Sequence, residues 1–125
     1  MRRIAFAVFL LGAALIGPAP LVAEGSGFIA GTEDVPLMPG LVPVDGASLV
    51  FDKPEGRIVE AQARGKLDRA KVRDFYGAAL PQLGWSAAGA NAWRREGELL
   101  RLDFRGRDGD LVVGFTLSPQ KEPAP

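Results

Sequence analysis

The sequence predicts an α+β domain of two layers, one amphipathic helix packed on an antiparallel sheet in the order β-β-α-β-β-β. Three observations carry that prediction. Downstream of an apolar N-terminal run, apolar residues recur at helical spacing only once, between residues 68 and 84. The segments on either side alternate apolar and polar residues, as half-buried strands do. Short turns rich in Gly, Pro and Asp join those segments, which favours antiparallel neighbours over parallel crossovers.

Residues 1–23 read as a signal peptide. Arg2 and Arg3 precede Ile4–Ile16, a run of 13 residues that is apolar apart from Gly12, and Gly17, Pro18 and Pro20 then break it. The run is shorter than the ~20 residues a membrane-spanning helix needs. Cleavage after Ala23 or Gly25 leaves a mature chain that works in the periplasm or is secreted; an uncut leader would instead tether it. Residues 24–46 read as an extended arm, because Pro36, Pro39 and Pro43 forbid a helix interior or a central strand. Val35, Leu37, Met38, Leu41, Val42 and Val44 make the arm too apolar for a solvated linker.

The domain proper is expected over residues 47–118. A strand at Ala47–Asp52 leads through the turn Lys53-Pro54-Glu55-Gly56 into a second at Arg57–Arg64, which sets Val59, Ala61 and Ala63 on one face and Glu60, Gln62 and Arg64 on the other. The small alanines let a helix lie close above that strand. Asp68 is the expected N-cap; Val72, Phe75, Tyr76, Ala79, Leu80 and Leu83 form the apolar stripe, Pro81 sits in the last turn, and Gly84 caps the C-terminus. Three strands follow, at Ala92–Glu96, Glu98–Arg105 and Leu111–Leu117, with a polar, flexible tail over residues 119–125.

The composition excludes more chemistry than it suggests. The chain has no His and no Cys, so Ser-His-Asp and Cys-His catalysis, disulfides and the usual zinc sites are all absent. Without the leader, 13 basic residues face 15 acidic ones, a net charge of about −2 that offers no basic footprint for nucleic acid. Asp103, Asp108 and Asp110 lack calcium-loop spacing, with Arg105 and Arg107 among them, and read as a hairpin turn. Glu96 and Glu98 flank Gly97 and read as surface carboxylates beside Arg94 and Arg95. No catalytic residue, metal or cofactor is called for.

The remaining candidates are aromatic and apolar. The arm has two readings: a cover strapped over the sheet, or a docking element whose Leu37, Met38 and Leu41 enter a groove on another envelope protein. Trp93 is a further contact candidate if it lies on the open face of the sheet. Tyr76 and Trp85 could line a small-ligand pocket between helix and sheet, although helical spacing places Tyr76 in the core.

The run Phe75-Tyr76-Gly77-Ala78-Ala79-Leu80-Pro81-Gln82-Leu83-Gly84-Trp85 resembles a motif of small exported bacterial proteins, an aromatic pair on a helix followed by Leu and then Gly-Trp. With Asp34, Pro36–Leu41, Phe51-Asp52, Gly56–Glu60 and Arg95–Glu98, the chain over Glu33–Pro119 resembles a family of exported alphaproteobacterial proteins. The resemblance implies a single exported domain and brings no chemistry with it. The expected function is thus a non-enzymatic periplasmic protein that binds a protein or envelope component. The alternative is a small-ligand carrier or sensor.

Overall fold

The computed structural model describes residues 27–120. The leader and residues 121–125 lie outside them. One helix and an antiparallel seven-stranded sheet form the expected two layers. The strands are β1 (Val42–Pro43), β2 (Leu49–Lys53), β3 (Gly56–Gly65), β4 (Ser86–Gly89), β5 (Ala92–Arg95), β6 (Glu98–Arg107) and β7 (Asp110–Pro119), with α1 (Arg69–Gln82) between β3 and β4.

The sheet runs β1-β3-β7-β6-β5-β4, with β2 also on β3. Pairing of β7 along Val59–Gly65 occupies one flank of β3, so β1 and β2 share the other. Val44 N–H donates to the Gln62 carbonyl at 2.9 Å, and pairing resumes at Leu49 opposite Glu60. Residues 45–48 therefore loop out of what is otherwise one edge strand from 42 to 53. A bulge of this kind breaks the long flat edge that invites sheet-to-sheet aggregation.

Two strands beyond the expected five appear. Val42–Pro43 belongs to the sheet and not to a separate arm, because Pro43 sits on the edge strand where its missing N–H costs no ladder bond. Ser86–Gly89 pairs with β5 through an irregular register, and Gly and Ala in so short a stretch leave no alternation to read. The tail is also shorter than expected: Pro119 pairs with Glu98, and Gln120 N–H donates to the Gly97 carbonyl at 2.7 Å.

Alternation then sorts the side chains. Val59, Ala61 and Ala63 of β3 share a face with Leu111, Val113, Phe115 and Leu117 of β7, Leu100 and Leu102 of β6, and Trp93 of β5. Helix α1 lays Val72, Tyr76 and Leu80 on that face. Leu83, expected on the stripe, is exposed because the helix has ended. Trp85 N–H reaches the Leu80 carbonyl at 3.1 Å and Gly84 N–H the Pro81 carbonyl at 3.1 Å, with Gly84 at φ 95°; this Schellman closure satisfies carbonyls of the last turn and turns the chain toward the far edge of the sheet.

The N-terminus of α1 is capped from a distance. Asp68 has extended N-cap geometry but makes no side-chain bond. Asp108, at the tip of the β6–β7 hairpin, accepts from Arg69 N–H at 3.1 Å, while Arg69 donates to the Gly106 carbonyl and Gly109 N–H to the Leu67 carbonyl. The Asp-rich turn is thus a hairpin that docks on the helix. Asp108→Ala is expected to cost about 0.5–2 kcal/mol, and Asp68→Ala clearly less, by urea denaturation of both variants.

Candidate functional site

The arm residues are consumed by the domain's own core. Ile29, Val35, Leu37 and Leu41 are buried in the cluster formed by helix and sheet, and Met38 packs against it half-buried. A short loop makes this docking possible: Ile29 N–H donates to Val35 O and Leu37 N–H to Gly27 O, so residues 27–37 fold back on themselves. Tyr76 fastens the loop to the helix. Its hydroxyl donates to the Pro36 carbonyl at 2.7 Å and accepts from Met38 N–H at 3.1 Å. Burial pushes the phenol far above its ordinary value, outweighing the opposing hydrogen bond from Met38.

Further along, the arm crosses β3 at Gly65. A side chain there would strike the Gly40 carbonyl and press on Leu41. Gly65→Ala is expected to cost about 1–3 kcal/mol by forcing the arm off the sheet, measured as a lowered midpoint in thermal unfolding. Leu37 and Leu41 are therefore not a docking element for a partner: the hydrophobic effect uses them internally.

Trp93 is not a contact residue either. It is only 6% exposed and faces the helix layer opposite Leu100 and Ala87. Tyr76 and Trp85 are equally enclosed, at 0% and 2%, and neither ring lines the depressions beside the turns, on the open face of the sheet, beside the arm or on the outer side of α1. Phe75 and Phe115 pack edge-on against Tyr76, with centroids 4.8 and 5.5 Å away. Beside the arm the interior closes to a void of about 10 Å³, room for about one water.

One end of the core carries a charged corner that sequence reasoning did not assemble. Arg95 lies over the Trp85 ring at 4.4 Å, donates to the Leu83 carbonyl at 2.9 Å and pairs with Asp34 of the arm. Arg57 pairs with Glu98 at 3.4 Å across the end of β7 and reaches the Gly31 carbonyl. The expectation that Arg95 and Glu98 are solvated neighbours is corrected. Strand alternation turns both toward the arm, where Asp34 and Arg57, distant in sequence, meet them. Its charged groups pair as Arg95 with Asp34 and Arg57 with Glu98, which clamps the arm, while Arg95 Nε and Trp85 Nε1 stay buried without a hydrogen-bond partner among the described residues.

Three surface features of the sheet stand out among the described residues. A depression of about 440 Å³ between the two turns is lined by Glu55, Glu96, Glu98 and Pro119, open to solvent. A second, of about 140 Å³, lies on the open face of the sheet, where Gly114 leaves a gap flanked by Glu60, Gln62, Asp103 and Arg105. The Asp103 carboxylate leans into that gap, 2.8 Å from where a Cβ would stand.

The third feature is the β2 edge. Leu49, Val50 and Phe51 are each about half exposed, three large apolar residues in succession on the outermost strand. Leu49 and Phe51 point to the open face of the sheet with Glu60 and Ile58, and Val50 to the helix side with Val59. The Gln62 carbonyl bonds Val44 on this flank of β3, so by two-residue alternation Glu60 and Ile58 direct their backbone groups the same way, toward Leu49 and Phe51. The N–H and C=O of Val50 and Asp52 consequently point outward, with no strand among the described residues to receive them. Sequence reading identified the strand but not its exposure, since alternation does not say which strand ends a sheet.

The fold and its exposed edge define a small two-layer α+β protein with an apolar edge strand, paired on one side only among the described residues. No protein-family model, no curated protein and no solved structure matches the chain. Among the described residues, no helix is long and apolar enough to cross a membrane.

Proposed function

We propose that this protein is a non-enzymatic binding module of the cell envelope that engages another polypeptide by strand addition at β2. The observation that carries the reading is the run Leu49-Val50-Phe51, exposed on a strand whose outward backbone groups have no partner among the described residues. Strand addition draws affinity from main-chain hydrogen bonds and specificity from alternate side chains; both are on offer here. Export rests on the leader-like residues Arg2, Arg3 and Ile4–Ile16, and the non-enzymatic reading on the absence of His and Cys. The small-ligand alternative needs a pocket at Tyr76 and Trp85, and their burial gives it no support.

The test is cross-linking capture from native envelope with wild type and Phe51→Lys. A lysine on an edge strand opposes pairing and leaves the core untouched. Stability is expected to change by about 0.5 kcal/mol or less, while a discrete captured protein falls at least about tenfold in affinity. Capture that is equal for both proteins overturns the reading.

A further inference from the structure

The chemistry of β2 goes further than an anonymous strand. Building on the strand-addition reading above, we propose that the polypeptide added to β2 is β2 of a second copy of this chain, paired antiparallel about a two-fold axis at Val50.

Backbone parity limits the registers. Outward groups belong to Val50 and Asp52, while those of Leu49, Phe51 and Lys53 face β3. A symmetric antiparallel pair must oppose outward groups to outward groups, which permits a two-fold on any residue of β2 and forbids one between residues; a centre on Lys53 opposes two lysines, and one on Leu49 sets Val50 against Ser48 and Phe51 against Ala47. Side chains then decide. Centred on Asp52, two carboxylates oppose each other. Centred on Phe51, Lys53 falls against Leu49 and Asp52 against Val50. Centred on Val50, Leu49 meets Phe51 of the second copy on the open face, and Val50 meets Val50 on the helix side. Asp52 and Lys53 then run past the paired stretch toward the looped-out residues 45–48 of the second copy, so no like charges are opposed. Only this register matches apolar to apolar at all three positions on the correct faces.

The looped-out residues 45–48 end the pairing surface on one side and the turn at Pro54 ends it on the other. The strand is therefore long enough for a defined pair and too short to template a fibre. An interface this small implies reversible association, with a Kd on the order of 10–100 μM.

The chain has no cysteine, so a single introduced thiol can form a disulfide only between copies. Residues opposed in a hydrogen-bonded antiparallel pair have Cα atoms about 5.5 Å apart, inside the range of about 4.4–6.8 Å that a disulfide spans. The experiment uses the protein purified as the cell produces it. Wild type is expected to show concentration-dependent dimers in equilibrium sedimentation. Val50→Pro is expected to remain folded, because the N–H it removes points away from β3, and to be monomeric. Under a mild oxidant Val50→Cys is expected to form disulfide dimers at least about tenfold faster than Ser86→Cys on the opposite edge.

Wild type that stays monomeric to about 1 mM, well above the expected Kd, with Val50→Cys no faster than Ser86→Cys, overturns the dimer. Envelope capture with Val50→Pro then separates the two claims. Loss of a captured protein of different sequence leaves strand addition standing with a foreign partner; unchanged capture removes both.

Discussion

Leu41→Asp is expected to destabilise the domain severely, by about 4 kcal/mol or more, while the same charge one residue on, in Val42→Asp, is expected to leave its stability nearly unchanged. Leu41 is 2% exposed and lies against Gly65 beneath the crossing arm. A carboxylate there must be desolvated or protonated, at a cost of about 4 kcal/mol or more. Domains of this size are stable by about 5–15 kcal/mol in total. Val42 is 60% exposed on the outer face of the edge strand and meets Arg64 across β1–β3, so its substitution should change stability by about 1 kcal/mol or less. Urea denaturation followed by tryptophan fluorescence separates the two. If Leu41→Asp unfolds with the wild-type midpoint, the arm is not part of the core and can act as a free docking element after all.

Tyr76→Ala is the second large effect. It removes a fully buried ring flanked by Phe75 and Phe115, and with it the hydroxyl that holds Pro36 and Met38. Cavity formation of this size costs about 3–5 kcal/mol. Tyr76→Phe isolates the strap: the ring stays, and an amide and a carbonyl lose their partner for about 1–3 kcal/mol. Amide exchange should then accelerate first in residues 35–41, ahead of the sheet.

The same side chain makes a pH prediction. A phenol whose folded pKa is raised keeps its proton in the native state while the unfolded chain loses it near pH 10. Its contribution to stability is therefore complete below about pH 10 and declines above it, by about 1.4 kcal/mol for each further unit. Tyr76 is the sole tyrosine, so near-ultraviolet absorbance reports this group alone. The phenolate band should rise together with unfolding and not at the ordinary value. In Tyr76→Phe this component of the alkaline instability should disappear. A phenolate band at about pH 10 in protein that remains folded would show that the hydroxyl is open to solvent.

Much of the fold was legible because periodicity is a local property. The stripe Val72, Tyr76, Leu80 and the alternation at Val59, Ala61, Ala63 and at Leu111 to Leu117 each require only neighbours in sequence, and each sits where the pattern placed it. Gly84 was legible for a similar reason, since a helix that ends in a left-handed residue needs Gly there. The helix start was not. Asp68 has the right chemistry in the right place, yet Asp108 makes the hydrogen bond, because the hairpin folds back across the helix end.

The candidate site was less legible. Leu37, Met38 and Leu41 carry the same apolar signal whether they cover their own sheet or another protein's groove, and strand alternation alone leaves the face of Trp93 open. Burial resolves both in favour of the core. Arg95 and Glu98 looked like ordinary surface charges because their partners, Asp34 and Arg57, are 61 and 41 residues away.

The amino-acid sequence by itself determined the fold class, the helix with its C-terminal cap, the alternation of the strands, and the absence of His and Cys chemistry. Only the tertiary structure decided which strand ends the sheet, which face of the arm is buried, and which charges meet. The physical reason is that side-chain pattern encodes what each segment wants to bury. The pairing of segments far apart decides what is left uncovered, and here that is β2.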